Sequence, residues 1–137
     1  MKKLGIILII LLIGSIIAYF IYKQMSKHND PTESKDKVSI NAIELYKNYT
    51  QNEASADSLY LGKVIDLTGN ISEIEKNDNR YTLYLNTTDS TGTISCEMDT
   101  LENSNISKLN KGNSIKINGF CNGINIDVQL DRCKIVN

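Results

Sequence analysis

The stretch LGKVIDLTGNISEI, residues 61–74, sets the architecture. Before Gly62 the apolar residues recur at helical spacing. After it, Ile65, Leu67, Gly69 and Ile71 fall on one side of an alternating pattern, and Asp66, Thr68, Asn70 and Ser72 on the other. A period of two describes a strand with one face in a core and one in water. Gly69 falls mid-strand, where a missing side chain lets a strand coil or bulge sharply.

The same alternation recurs downstream. Lys76–Arg80 is a turn cluster, after which Tyr81, Leu83 and Leu85 alternate with Thr82, Tyr84 and Asn86. Asp89–Gly92 turns the chain into a third strand, with Ile94, Cys96 and Met98 on one side and Ser95 and Glu97 on the other. Leu101–Leu109, broken by Asn and Ser, is the place for a short helix. Lys111-Gly112-Asn113 then opens a last hairpin, with Ile115, Ile117, Gly119 and Cys121 facing in. Asn122-Gly123 is its expected turn, and Ile124, Ile126, Val128 and Leu130 return, the strand continuing to Ile135.

Upstream, Asn41-Ala-Ile-Glu44 is a capping-box variant, and Ile43, Leu45, Tyr46 and Tyr49 follow near helical spacing. A helix is expected over 41–51, with another helical turn or two within 52–60. Five alternating strands with a helical insert between the third and fourth have the order of an OB-fold, a five-stranded Greek-key barrel. The expected class is therefore mainly β. An open meander is the alternative; Gly69 and Gly119 at mid-strand favour coiling into a barrel.

The rest of the 137 residues divides into an apolar start and a polar tether. Leu4 to Tyr22, LGIILIILLIGSIIAYFIY, carries no charge and as a helix would span roughly 28 Å, close to the hydrocarbon core of a bilayer. Residues 1–22 read as a transmembrane anchor, 23–37 as a flexible linker and 38–137 as the OB domain. A cleaved signal peptide fits less well, because no small-x-small site follows the apolar run. A count of flanking lysines would keep the domain in the cytoplasm, whereas the two-lysine start has the form of a signal anchor. The expectation is a single-pass membrane protein with its C-terminal domain outside the cytoplasm.

The blocks AIELYKNYTQNEASADSLYLGKVIDLTGNISEI (42–74), TGTISCEM (91–98) and LNKGNSIKINGFCNGINIDVQLDRC (109–133) resemble, in this order, the tRNA-anti-like family of OB-fold proteins, many of them designated lipoproteins without an assigned role. The resemblance implies an OB barrel over about 100 residues. It implies nucleic acid only by analogy of fold, and fold does not fix function. In place of the lipid-accepting Cys of a lipoprotein, this sequence has the apolar segment.

The composition of the domain bears on its ligand. From Val38 to Asn137 there are 9 basic and 13 acidic residues, a net of −4. An OB domain that takes single strands offers a basic groove and several outer-face aromatics. Here Tyr84 is the one aromatic on the outer face of the second and third strands, beside Thr82, Ser95 and Glu97. Nucleic acid is thus disfavoured. The domain lacks His, so neither a Ser-His nor a Cys-His pair can be assembled, and no HExxH, Walker or GxSxG string occurs. The one histidine, His28, lies in the linker and reads as a solvated side chain. Glu73 with Glu75, and Asp127 with Asp131, read as solvated strand-flanking carboxylates. No metal site and no cofactor are expected.

Cys96, Cys121 and Cys133 have no C-x-x-C spacing, and their number is odd. They read either as buried small apolar residues or, for Cys121 and Cys133, as a disulfide closing the last hairpin. The function expected is non-catalytic: a membrane-anchored binding module for an envelope protein or small ligand, using Tyr84, Thr82, Ser95 and Glu97 with the turns at 76–80 and 122–125. A structural or assembly role is the alternative, followed by single-strand binding. Expected partners are the lipid bilayer and that protein or ligand.

Overall fold

The computed structural model describes residues 12–21, 37–87 and 92–136. A long strand, β2 (Val64–Asn77), organises the sheet that begins with β1 (Lys37–Asn41). Its first half runs antiparallel to β5 (Ser114–Ile124), from Val64 opposite Phe120 to Asn70 opposite Ser114. Its second half pairs with β3 (Arg80–Leu85), which pairs in turn with β4 (Ile94–Met98). A parallel seam joins β4 to β6 (Val128–Ile135), and β6 returns antiparallel to β5. The barrel of β2, β3, β4, β6 and β5 is therefore closed, and closure protects the sheet edges. A 3-10 turn (Thr100–Glu102) and the short helix α3 (Asn103–Ile106) fill the interval between β4 and β5, as the sequence predicts.

Inward alternation supplies the core. Ile65, Leu67, Ile71, Leu83, Leu85, Ile94, Cys96, Ile117, Cys121, Val128 and Cys133 are all fully buried. Each Ile, Leu or Val so placed contributes about 1.5–3 kcal/mol of transfer free energy. Helix α1 (Ala42–Gln51) starts at Asn41, whose side chain accepts the Glu44 N–H at 2.8 Å, and buries Leu45, Tyr46 and Tyr49. Helix α2 (Glu53–Tyr60) is separate, capped afresh by Asn52, and buries Ala56 and Tyr60.

Three features depart from the sequence expectations. β1 is a sixth strand, parallel to residues 64–68 of β2 on the edge that β3 leaves unoccupied. Five residues are too few for alternation to stand out, although Val38 and Ile40 do pack against the core. Second, the register of β2 against β3 shifts between Ile71 and Glu73. This bulge at Ser72 reverses the parity of the strand, so that Ile74 packs inward while Glu73 and Glu75 turn outward. Third, the last hairpin does not turn at Asn122-Gly123. β5 runs through both residues to Ile124, and the chain reverses at 125–127, leaving Ile126 78% exposed at the tip rather than returning inward. Gly123, at φ +88°, forms a bulge against α2, where a Cβ would lie 3.4 Å from both Asp57 and Leu61.

The expected transmembrane helix is corrected. Its described part, residues 12–21, is helical. Ten residues span about 15 Å, half the hydrocarbon thickness of a bilayer. Among the described residues no helix is long and apolar enough to cross a membrane. The anchor, the bilayer as partner and the single-pass placement with an extracytoplasmic domain therefore do not stand. Residues 4–11, the linker up to residue 36 with His28, and residues 88–91 of the expected turn before β4 lie outside the described residues.

Candidate ligand-binding site

The register of β3 against β4 places Thr82 opposite Glu97 and Tyr84 opposite Ser95, so the four residues singled out in the sequence form one block on the outer face. The Ser72 bulge extends the block onto β2, with Glu73 opposite Tyr84 and Glu75 opposite Thr82. The Ser72 hydroxyl donates to the Tyr84 carbonyl at 2.9 Å and fixes the bulge beneath this face.

Tyr84 is held in place by its own hydroxyl, which donates to Glu75 Oε2 at 3.0 Å. That bond raises the phenol above its ordinary pKa, with partial burial and the charges of Glu75, Asp127 and Glu73 adding to it. Several carboxylates thus converge on one aromatic ring. Arg80 pairs with Glu97 at 2.5 Å across the strands, with 69% and 47% of the side chains exposed. An ion pair so exposed adds at most about 1 kcal/mol, so either partner can be drawn away by a ligand.

An open cleft of about 580 Å³ runs from this block to the β2–β3 turn, lined by Asn77, Asp78, Asn79, Arg80, Thr82, Glu97 and Thr100. The turn is tied to α3 by Asn103 Nδ2, which donates to the Asn79 carbonyl at 3.0 Å. A second cleft of about 380 Å³ shares Arg80, Glu97 and Thr100 with it and adds Met98, Asp99, Asp131 and Arg132. Both arginines of the chain therefore line the second cleft. Each has a carboxylate beside it, since Arg132 Nε lies 3.3 Å from Asp131.

The turn at 122–125 is divided by the structure. Gly123 packs on α2, whereas Asp127 joins the site's side of the barrel by accepting the Thr93 N–H at 2.9 Å and hydroxyl at 2.8 Å. Asp127 and Asp131 serve separate partners. Among the described residues no group of three or more His, Cys, Asp or Glu side chains is placed to hold a metal ion. Cys96, Cys121 and Cys133 are buried free thiols. Cys121 meets the Tyr49 hydroxyl at 3.3 Å, and burial pushes its thiol up. The Cys133 thiol donates to the Asp131 carbonyl at 3.7 Å and is raised well above the ordinary thiol value, first by burial and then by the neighbouring Cys96.

Sequence reasoning missed Glu75, Glu73 and Asp127 as members of this face, whereas Arg80 falls in the expected turn at 76–80. One signal was available: Ile71 and Ile74 are three residues apart, a spacing that a regular strand cannot place on one side.

Comparison with known proteins gives the family and the fold. The "putative nucleic acid-binding lipoprotein" from Klebsiella pneumoniae superposes with a TM-score of 0.61 at 17% identity, over 82% of this chain and 100% of that one. The "putative aspartyl-tRNA synthetase" from Leishmania major Friedlin gives 0.51 at 11% identity, over 77% of this chain and only 22% of the synthetase. Identities this low show a shared fold alone. No curated protein matches the sequence. The tRNA_anti-like family model matches residues 1–135, nearly the whole chain, and with the closed OB barrel on which that match falls, the chain belongs to the tRNA_anti-like family.

Proposed function

We propose that this domain is a non-catalytic binding module that holds a basic segment of another protein across the outer face of β2, β3 and β4. Tyr84, Thr82, Ser95 and Glu97 form the floor, and the β2–β3 turn forms one rim. The observation that carries this reading is the Tyr84 hydroxyl bonded to Glu75 at 3.0 Å, with Glu73 opposite the same tyrosine on the β2–β3 ladder. A lysine or arginine head fits there twice over, as a counter-charge to the carboxylates and as a cation against the ring. Phosphates would meet like charge on the same face, which separates this reading from single-strand binding. The names of the OB proteins that share the fold include a nucleic-acid binder, so a single strand is the alternative to test.

The test sets a lysine- and arginine-rich peptide against an oligothymidylate at physiological salt, with binding read by fluorescence anisotropy on the full chain. The peptide is expected to bind, and Tyr84→Ala to weaken it about tenfold, as loss of an aromatic anchor does. Tighter binding of the oligonucleotide, or peptide binding indifferent to Tyr84→Ala, would overturn the proposal.

A further inference from the structure

The parallel seam between β4 and β6 closes the barrel, and two thiols lie on it. Cys96 stands opposite Leu130 and Met98 opposite Cys133, with a register shift between the two pairs. The β5–β6 register slips at the same place, from Asn118 opposite Lys134 to Phe120 opposite Asp131. Arg132, at φ 49°, sits at the centre of this bulge. The bulge turns Cys133 into the core on the side that Cys96 faces from β4, both are fully buried, and the Cys133 thiol donates to the Asp131 carbonyl at 3.7 Å. Gly119 makes the room, since a Cβ there would lie 2.5 Å from the Cys133 sulfur. Cys121 is engaged elsewhere, its sulfur against the Tyr49 hydroxyl. On the outer side, the cleft of about 380 Å³ is lined by Met98, Asp131 and Arg132, which flank Cys133 along β6 and across the seam.

We propose that Cys96 and Cys133 are an oxidisable dithiol that closes into an intramolecular disulfide across the β4–β6 seam. The oxidant is a small-molecule disulfide that reaches Cys133 through the bulge. One protein thiol gives up its proton and attacks the oxidant, forming a mixed disulfide and releasing one thiol that carries the proton away. The second protein thiol, deprotonated in turn, attacks the protein-side sulfur and releases the other half as a second thiol. Two protein thiols are oxidised by two electrons, and one small disulfide is reduced to two thiols. Burial pushes the Cys133 thiol up in the closed barrel and both sulfurs are shut off from solvent, so exchange waits on local opening of the bulge. Once formed, the bond ties β4, which carries Ser95 and Glu97, to β6.

The reduced full chain is incubated with oxidised glutathione, with and without sub-denaturing urea, then acid-quenched, alkylated under denaturing conditions and mapped by non-reducing mass spectrometry. The expected product joins the Cys96 and Cys133 peptides with the loss of two hydrogens, leaves Cys121 alkylated, and forms equally in Cys121→Ala. Its denaturation midpoint rises and falls back on reduction. A bond from Cys121 to either partner, glutathione retained without closure, or three alkylatable thiols under both conditions would overturn the proposal. Because the evidence comes from the wild type and Cys121→Ala, it does not depend on whether Cys96→Ala or Cys133→Ala folds.

Discussion

The two halves of β2 are one continuous strand in two environments. Residues 64–70 are flanked on both edges, by β1 and by β5, whereas from the bulge onward the strand is paired with β3. In the first half Ile65 and Leu67 are fully buried, and even the outward Asp66 is bound. With its amide oriented to satisfy both neighbours, buried Asn118 donates to Asp66 Oδ1 and accepts from Lys37 Nζ at 2.8 Å, while Lys116 lies 3.7 Å from the same carboxylate. In the second half Glu73 and Glu75 stand at the surface around Tyr84. Charges consumed by the fold hold strands together; charges left at the surface are free to meet a ligand. The single residue at Ser72 separates the two uses.

The largest effect should come from the core of the first half. Leu67→Ala removes a fully buried side chain from a closed barrel and should cost about 3 kcal/mol of stability in urea denaturation. The matching change in the second half, Ile74→Ala, acts on a partly buried residue and should cost about 1 kcal/mol. Equal losses at the two positions would show that the bulge does not divide the strand energetically.

The polar cluster of the first half comes next. Asn118→Ala removes a buried amide and leaves Asp66, whose side chain is 17% exposed, without its closest donor. A loss of about 2 kcal/mol should follow, with peptide binding at Tyr84 unchanged. A binding defect in this variant would couple the two halves and break the distinction.

The legibility of the sequence follows the same division. Where a strand is regular, as at Ile65–Ile71, Leu83–Leu85 and Ile94–Met98, alternation alone predicts which side is buried, because one face must meet the core. The order of strands and insert then points to the OB barrel. Irregular backbone was not legible. Asn122-Gly123 is a strong local turn signal, yet its glycine serves a bulge against Asp57 and Leu61, a tertiary contact that no local pattern contains. On the outer face, the shared placement of Tyr84, Thr82, Ser95 and Glu97 was legible from strand parity. Glu75 was not, because strict alternation from Ile65 would point it into the core, and the shift at Ser72 is what brings it to Tyr84. Hydropathy and length together predict a spanning helix over 4–22, and the described helix covers residues 12–21 of that run.

The smallest effect on stability, and the sharpest on the site, is expected from Glu75→Gln. The substitution keeps an oxygen to accept from the Tyr84 hydroxyl but removes the charge, and at an exposed position it should change stability by no more than about 0.5 kcal/mol. A carboxylate that accepts from the phenol favours its neutral form, so the folded chain holds Tyr84 protonated above the ordinary tyrosine value of 10.0. That contribution is complete below the unfolded pKa of tyrosine and fades as pH rises through the folded value. Without the charge at position 75, the Tyr84 pKa should fall back towards 10.0, as read by NMR of ring-labelled tyrosine across alkaline pH. Peptide binding should weaken in the same variant, because the carboxylate that shifts the phenol is also the one offered to a cationic side chain. An unmoved Tyr84 titration would mean that Glu75 faces water rather than the ring. The second half of β2 would then be a solvated edge like any other, and the contrast with the first half would be one of burial alone.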